Sequence, residues 1–331
     1  MAGRRQKKSG GRSYAWRYRG RIVVCVFVEV IIICALVIMI GWNKGVKEWF
    51  EQFEQPVLKE VDISGINSPN AILMQARGGK ILGEINGEAQ IYPASMTKIM
   101  TVILGIENFD DLDEKITLTN EMFTGLYEQG ATQAGFQPGE EVRVIDLLYG
   151  AMLPSGAECC IALADTISGS EADFAELMNK KARKLGMENT HFCDSTGLHN
   201  PDHYSTVKDI AVLMKYCIKN DTFREIVETS RHSTGVTNIH PDGITYYSTM
   251  FKNLSDPTVT GGKILGGKTG YTSEAGHCLV SFAEIEGREY IFVSAGASGA
   301  DGNTIPHIQD AVTVYNRVGA AIEAKMNNNN K

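Results

Sequence analysis

The stretch Tyr92-Pro93-Ala94-Ser95-Met96-Thr97-Lys98 sets a hydroxyl and an amine three residues apart at the start of an apolar run. Pro93 suits a first helical turn, and Ile99, Met100, Val102, Ile103 and Leu104 leave almost no polar face, so the segment reads as a helix bound for a core. Positions i and i+3 share a helix face, which brings the Lys98 amine to the Ser95 hydroxyl. The helix N-terminus offers N–H groups to an anion forming there. An amine kept neutral by burial can take a proton from a serine, and the chemistry that follows is acyl transfer through an ester. Ser-x-x-Lys alone is a short pattern that also describes an ordinary surface helix start, so the rest of the chain has to supply what acyl transfer still needs.

It supplies two further elements. Ser155-Gly156-Ala157 follows at a Pro-Ser-Gly turn before an apolar helix, and Lys268-Thr269-Gly270 opens a C-terminal hairpin. With Ser95 and Lys98 these match the order of the three motifs of penicillin-recognising serine enzymes, Ser-x-x-Lys, Ser-x-Asn and Lys-Thr-Gly. From Ala71 to about Val318 the chain resembles the D-alanyl-D-alanine carboxypeptidases, the low-molecular-mass penicillin-binding proteins. The likeness extends to Met178-Asn179-Lys180-Lys181-Ala182, Leu185-Gly186-Met187, Ser195-Thr196-Gly197-Leu198, His203-Tyr204-Ser205-Thr206 and Lys268-Thr269-Gly270-Tyr271-Thr272 with Ala275-Gly276.

The resemblance implies an α+β fold of the β-lactamase/penicillin-binding-protein-like transpeptidase type and removal of the terminal D-Ala from peptidoglycan stem pentapeptides, blocked by β-lactams. It implies Ser95 as nucleophile, Lys98 as its base with a pKa depressed by burial and by Lys268, and Ser155 as proton relay to the leaving amine. Lys268 and Thr269, on an exposed strand edge, would hold the substrate carboxylate. The backbone of Gly270 and Tyr271 would line the substrate, with the N–H groups of Ser95 and Tyr271 as oxyanion hole. No cofactor or metal is implied, and nucleic acid is not a partner.

Ala157 departs from the pattern, standing where the family usually has Asn. A methyl loses a hydrogen bond to substrate and one to Lys98, while Glu158 beside it points elsewhere on the helix. One such bond is worth on the order of 1–3 kcal/mol, whereas loss of the nucleophile costs about 10⁶ in rate. The arithmetic favours a slowed or retuned enzyme over a non-catalytic penicillin-binding scaffold or sensor. A β-lactamase reading needs a deacylating loop glutamate; the nearest pattern, Glu176-Leu177-Met178-Asn179, falls in a helix at the wrong spacing. His199 and His203 with Asp202 between them suggest a metal pair, but Pro201 breaks any helix and no His-Glu-x-x-His exists, so they read as loop hydrogen-bonding residues, Tyr204 and Ser205 as structural, and His277 as a strand residue at the site's rim.

The elements that must position these groups follow from periodicity. Ala71 to Arg77 and Lys80 to Ile85, joined by Gly78-Gly79, read as a hairpin, as do Gly276 to Ile285 and Arg288 to Ala297 around Glu286-Gly287. Between them lie a loop-rich stretch from Ile116 to Val144, a helix begun near Asp146, one through Cys159 to Ala164, one over Glu171 to Leu185, a loop from Asn189 to Tyr204 and a helix over Val207 to Tyr216. A last helix spans Ile308 to Ala324. Strand pairs at both ends predict one antiparallel sheet built from the two termini, with a helical subdomain packed against it.

Charge divides the chain of 331 residues. Residues 1–21 hold eight basic side chains and no acid, so against a total of −7 the remainder carries −15, an acidic body that argues against nucleic acid as main partner. Ile22 to Ile40 is apolar but for Glu29 and spans roughly 28 Å as a helix, the thickness of a bilayer core. The domain reading is therefore a basic cytoplasmic tail (1–21), a transmembrane anchor (22–42), a stem (43–69), an extracytoplasmic serine D,D-peptidase domain (70–324) and a polar tail (325–331), with no further β-rich domain expected after it. Glu29 is expensive in a membrane and is a candidate for pairing with another helix, the plainer reading being a single tolerated, protonated acid. Seven cysteines without metal spacing read as buried small residues.

Overall fold

The computed structural model describes residues 58–254, 256–299 and 305–329. The expected tail, the anchor at 22–42 with Glu29, Cys25 and Cys34, and the stem up to residue 57 lie outside the described residues. Among the described residues no helix is long and apolar enough to cross a membrane.

The frame is a six-stranded antiparallel sheet that both ends of the domain share. Strands β1 (Asn70–Gln75) and β2 (Ile81–Ile85) form the first hairpin, and β9 (Gly276–Ile285) and β10 (Arg288–Ala297) the second. β1 pairs with β10 from Asn70 opposite Ala295 to Gln75 opposite Tyr290, which closes the two termini into one sheet as predicted. The order is completed by β8 (Gly262–Thr272) and the two-residue β7 (Thr258–Val259), giving β2-β1-β10-β9-β8-β7. β3 (Lys115–Thr117) pairs with β4 (Glu141–Arg143), and β5 (Arg231–Ser233) with β6 (Thr245–Tyr247), as small separate ladders.

Each sheet face covers its own core. Ile72, Met74, Phe282, Ile291 and Val293 face the helices α1 (Lys98–Asn108), α2 (Val144–Met152), α3 (Ala157–Ser168), α4 (Glu171–Leu185), α5 (Val207–Cys217) and α6 (Asp221–Glu228). On the other side Leu73, Leu279, Tyr290 and Phe292 meet Val314, Tyr315, Val318 and Ile322 of the C-terminal helix. Alternating side chains let one strand serve both cores.

Three sequence boundaries are corrected. Leu58, Val61 and Ile63, assigned to the stem, are buried in the second core, so the folded body begins ahead of residue 70. The C-terminal helix runs over Pro306–Asn329, through residues expected as a polar tail. Lys268 does not open a hairpin but sits in mid-strand, because β8 begins at Gly262. The short helix α7 (Thr249–Asn253), together with α6, was not visible in the apolar periodicity.

Candidate active site

Ser95 stands on a 3₁₀ turn, Ala94–Thr97, that runs directly into α1 with Lys98 as its first residue. In a 3₁₀ turn residues i and i+3 eclipse, a closer approach than α geometry gives. Lys98 Nζ lies 3.1 Å from Ser95 Oγ and donates at 2.6 Å to the Thr196 carbonyl oxygen. Lys98 is 4% exposed, and burial pushes its pKa down against the opposing influence of Cys160, Asp194 and Glu158. Ala94, just before the nucleophile, holds φ at +46°, a conformation that L-residues adopt only when their surroundings impose it.

The carbonyl that receives Lys98 is fixed by a network the sequence did not disclose. Asp194 Oδ1 accepts from the N–H groups of Thr196 and Gly197 and from the Thr196 hydroxyl, each at 2.7 Å. Its Oδ2 is 3.2 Å from His203 Nδ1, while His203 Nε2 is 2.8 Å from Thr97 Oγ1. Burial alone would raise the Asp194 carboxyl, but the bond and charge of His203 together with Thr196 hold it at about 2. Ser195 donates its hydroxyl to Glu171 Oε1 at 2.6 Å, and its carbonyl accepts from Thr101 Oγ1. The signal that could have found this segment was the dense polar run Asp194-Ser195-Thr196-Gly197.

The second motif lies at the turn from α2 to α3. Ser155 holds φ at +74°, and its Oγ is buried without a hydrogen-bond partner among the described residues. Ala157 is buried, and its N–H donates to the Thr132 carbonyl at 2.8 Å. Glu158 points away, as expected, accepting from the N–H groups of Ala134 and Gly135; burial raises its pKa.

β8 carries the third motif past the nucleophile. A Cβ at Gly270 would come within 2.9 Å of the Ser95 nitrogen, so glycine alone lets the strand pass this closely. Thr269 Oγ1 is 2.7 Å from Thr249 Oγ1, and Tyr271 is exposed. Lys268 is only 1% exposed and donates to the Thr269 carbonyl at 2.9 Å, so it does not present an ammonium on an exposed edge. Its side chain is on the face of β8 that looks inward, where burial and then the charge of Lys98 push its pKa well below the ordinary lysine value. The mutual repulsion of the two amines therefore registers on Lys268, while burial is what lowers Lys98.

Ser95, Ser155, Thr269, Gly270 and Tyr271 open on one cleft of about 630 Å³, whose walls also include Thr132, Thr249, His277 and His307. No carboxylate lines it among the described residues. Glu176 lies on α4 beside a separate surface hollow. His199 and His203 are engaged separately, His199 against the Tyr92 ring and 3.9 Å from Glu274, His203 in the Asp194 network. Tyr204 pairs with His191 through a backbone bridge, and Ser205 Oγ bonds Thr190 Oγ1. Among the described cysteines Cys159, Cys160, Cys217 and Cys278 are buried free thiols and Cys193 is partly exposed.

Residues 57–299 match the profile of the peptidase S11 family, described as D-alanyl-D-alanine carboxypeptidase. The chain is 35% identical over 231 residues to the D-alanyl-D-alanine carboxypeptidase DacF of Bacillus subtilis, covering 69% of this chain and 57% of that one. It is likewise 35% identical over 236 residues to the D-alanyl-D-alanine carboxypeptidase of Streptomyces sp. strain K15, covering 69% and 78%. The crystal structure of the Streptomyces K15 DD-transpeptidase superposes with a TM-score of 0.69 at 29% identity, covering 79% of this chain and all of that one. The chain spans 57% and 58% of the lengths of the Bacillus protein and of DacC from Escherichia coli.

Proposed function

The chain belongs to the D-alanyl-D-alanine carboxypeptidase family, and from that premise we propose that it is a serine D,D-carboxypeptidase acting on peptides that end in D-Ala-D-Ala. The observation that carries the reading is the approach of Lys98 Nζ to Ser95 Oγ, 3.1 Å, at a lysine that burial drives toward its neutral form. A neutral amine there accepts the hydroxyl proton as Oγ attacks the carbonyl between the two D-Ala residues.

The Ser95 Oγ–C bond forms, the peptide C–N bond breaks, and the departing D-Ala amine takes a proton that Ser155 relays from Lys98. Ser155 suits the relay because its hydroxyl, without a hydrogen-bond partner among the described residues, lines the cleft beside the nucleophile. The N–H groups of Ser95 and Tyr271 serve as oxyanion hole, with Gly270 clearing the approach of the strand; such donors are worth roughly 10²–10³ in rate. Thr269 and Tyr271 receive the peptide along β8, while Lys268 braces the strand from beneath by donating to the Thr269 carbonyl. Water then cleaves the ester and frees Ser95. A β-lactam would enter the same cleft and leave a slowly hydrolysed ester on Ser95.

Ile22 to Ile40 would anchor the domain at the outer face of the cell membrane, within reach of peptidoglycan. The catalytic reading is tested by incubating the protein with labelled penicillin and mapping the adduct. A stable ester on Ser95, absent from Ser95→Ala, is expected; a protein that takes no label contradicts the acyl-enzyme.

A further inference from the structure

Thr97 stands between the nucleophile and its base, one residue before Lys98, and is buried away from the cleft lining. Its Oγ1 lies 2.8 Å from His203 Nε2. The acyl transfer described above uses neither side chain. The other ring nitrogen, Nδ1, faces Asp194 Oδ2 at 3.2 Å and receives the Cys193 N–H at 3.1 Å. His203 is itself buried, and the Phe192 ring packs across it at 75° with centroids 5.5 Å apart, which holds the imidazole in one orientation between its two neighbours.

Asp194 passes this constraint on to a single peptide group. The Thr196 carbonyl and the Gly197 N–H belong to the same planar amide. Its N–H donates to Asp194 Oδ1 at 2.7 Å, while its oxygen accepts from Lys98 Nζ at 2.6 Å. Planarity makes one setting of the two bonds: with the N–H held by the carboxylate, the carbonyl on the opposite side of the amide is aimed at the amine. A neutral amine has two N–H bonds and one lone pair. The N–H given to this carbonyl therefore decides which way the lone pair faces, and Ser95 Oγ waits 3.1 Å away to meet it.

These contacts close a circuit. It runs from Thr97 through His203, Asp194 and the Thr196–Gly197 peptide to Lys98, and the chain itself joins Lys98 back to Thr97. Ser95 belongs to the turn that Thr97 anchors, so the reach of the imidazole sets where the amine's acceptor stands relative to the nucleophile. Satisfying a buried carboxylate takes one ring nitrogen. The second reaches the residue between nucleophile and base.

We infer that His203 is a positioning residue for acylation, setting through Thr97 on one side and Asp194 on the other the direction in which Lys98 meets Ser95. It touches neither the substrate nor the reacting atoms. The inference rests on the acyl-enzyme reading of Ser95 and Lys98.

The test follows labelling of the full chain by penicillin over a range of concentrations, which separates initial binding from the acylation rate constant. His203→Phe is expected to lower the rate constant by about 10- to 100-fold and to leave initial binding as it is, the mark of lost alignment. Loss of folded protein lowers the amount labelled and not the rate constant. An unchanged rate constant therefore marks His203 as merely structural and overturns the inference. His203→Asn keeps a polar atom at the place of Nδ1, and His203→Gln keeps one at the place of Nε2. Each should recover part of the rate; recovery in neither overturns the role given to the ring nitrogens. Thr97→Val opens the circuit without touching the imidazole, so it carries the test should His203→Phe fail to fold. It should slow acylation by the same factor, and combining it with His203→Phe should slow it no further, whereas additive losses would overturn the shared device. Independently of labelling, crystal structures of the wild type and of Thr97→Val or His203→Phe should show the Thr196 carbonyl turned from Lys98 in the variant; a carbonyl still bonded to the amine contradicts the inference. A wild-type chain that takes no label, while that carbonyl turns in the variant, sinks the acyl-enzyme reading and leaves the positioning role standing.

Discussion

Gly197 lies against the nucleophile's own turn so closely that a Cβ on it would meet the Ala94 carbonyl oxygen at 1.9 Å, and its φ is +80°. The segment that supplies Lys98 with its acceptor is thereby fitted directly to the residue preceding Ser95. Both requirements exclude any side chain. Gly197→Ala is expected to slow acylation of Ser95 by labelled penicillin by about 10- to 100-fold, as displacements of about an ångström do. Unchanged acylation would show that the turn tolerates the shift.

The base must be neutral to act. Lys98 has its pKa lowered by burial, so acylation should fall as pH drops through that depressed value and level off above it, short of the ordinary 10.5. Stopped-flow acylation across pH measures this. A rate that rises on acidification would exclude Lys98 as base.

Asp194 ties the same segment to stability. Its folded pKa of about 2 lies below the ordinary 3.8, so its contribution is present above about pH 4 and is lost as pH falls through about 2. Asp194→Asn should remove on the order of 2 kcal/mol at neutral pH and flatten the acid limb of the stability curve. Urea unfolding at neutral pH and at pH 2 to 3 checks the sign: the variant and wild type should differ less in acid.

At Ala157 the N–H is used by Thr132 and the neighbouring Glu158 is turned away, so nothing described replaces the missing amide. Ala157→Asn is therefore expected to leave D-Ala release equal or higher. A fall of more than about tenfold would show that the buried methyl belongs to a site adapted around it.

What could be read from the sequence was local. Both terminal hairpins, the buried face of α1 and the serines at 95 and 155 are encoded in short windows of periodicity and motif. The middle of β8 was not, because Gly266 and Gly267 resemble breakers. In the fold they mark close approach: a Cβ at Gly266 would come within 2.4 Å of the Val227 carbonyl oxygen, and one at Gly267 within 2.5 Å of that of Val280. At Lys268 the strand is paired only with β9, as an edge would be, but the side chain turns inward and is buried, which no local pattern reveals. Helix α6 escaped notice since Asn220 caps only eight residues. The Asp194–His203 network and the His277–His307 stack join residues whose partnership depends on the closed sheet, which no window of sequence contains.

The most direct test of the account is mass spectrometry of a pentapeptide-containing muropeptide incubated with the full chain and, in parallel, with Ser95→Ala. The expected result is loss of a single terminal alanine with the first and none with the second. An intact pentapeptide after incubation with the unmodified chain, or alanine loss that persists in Ser95→Ala, would contradict it.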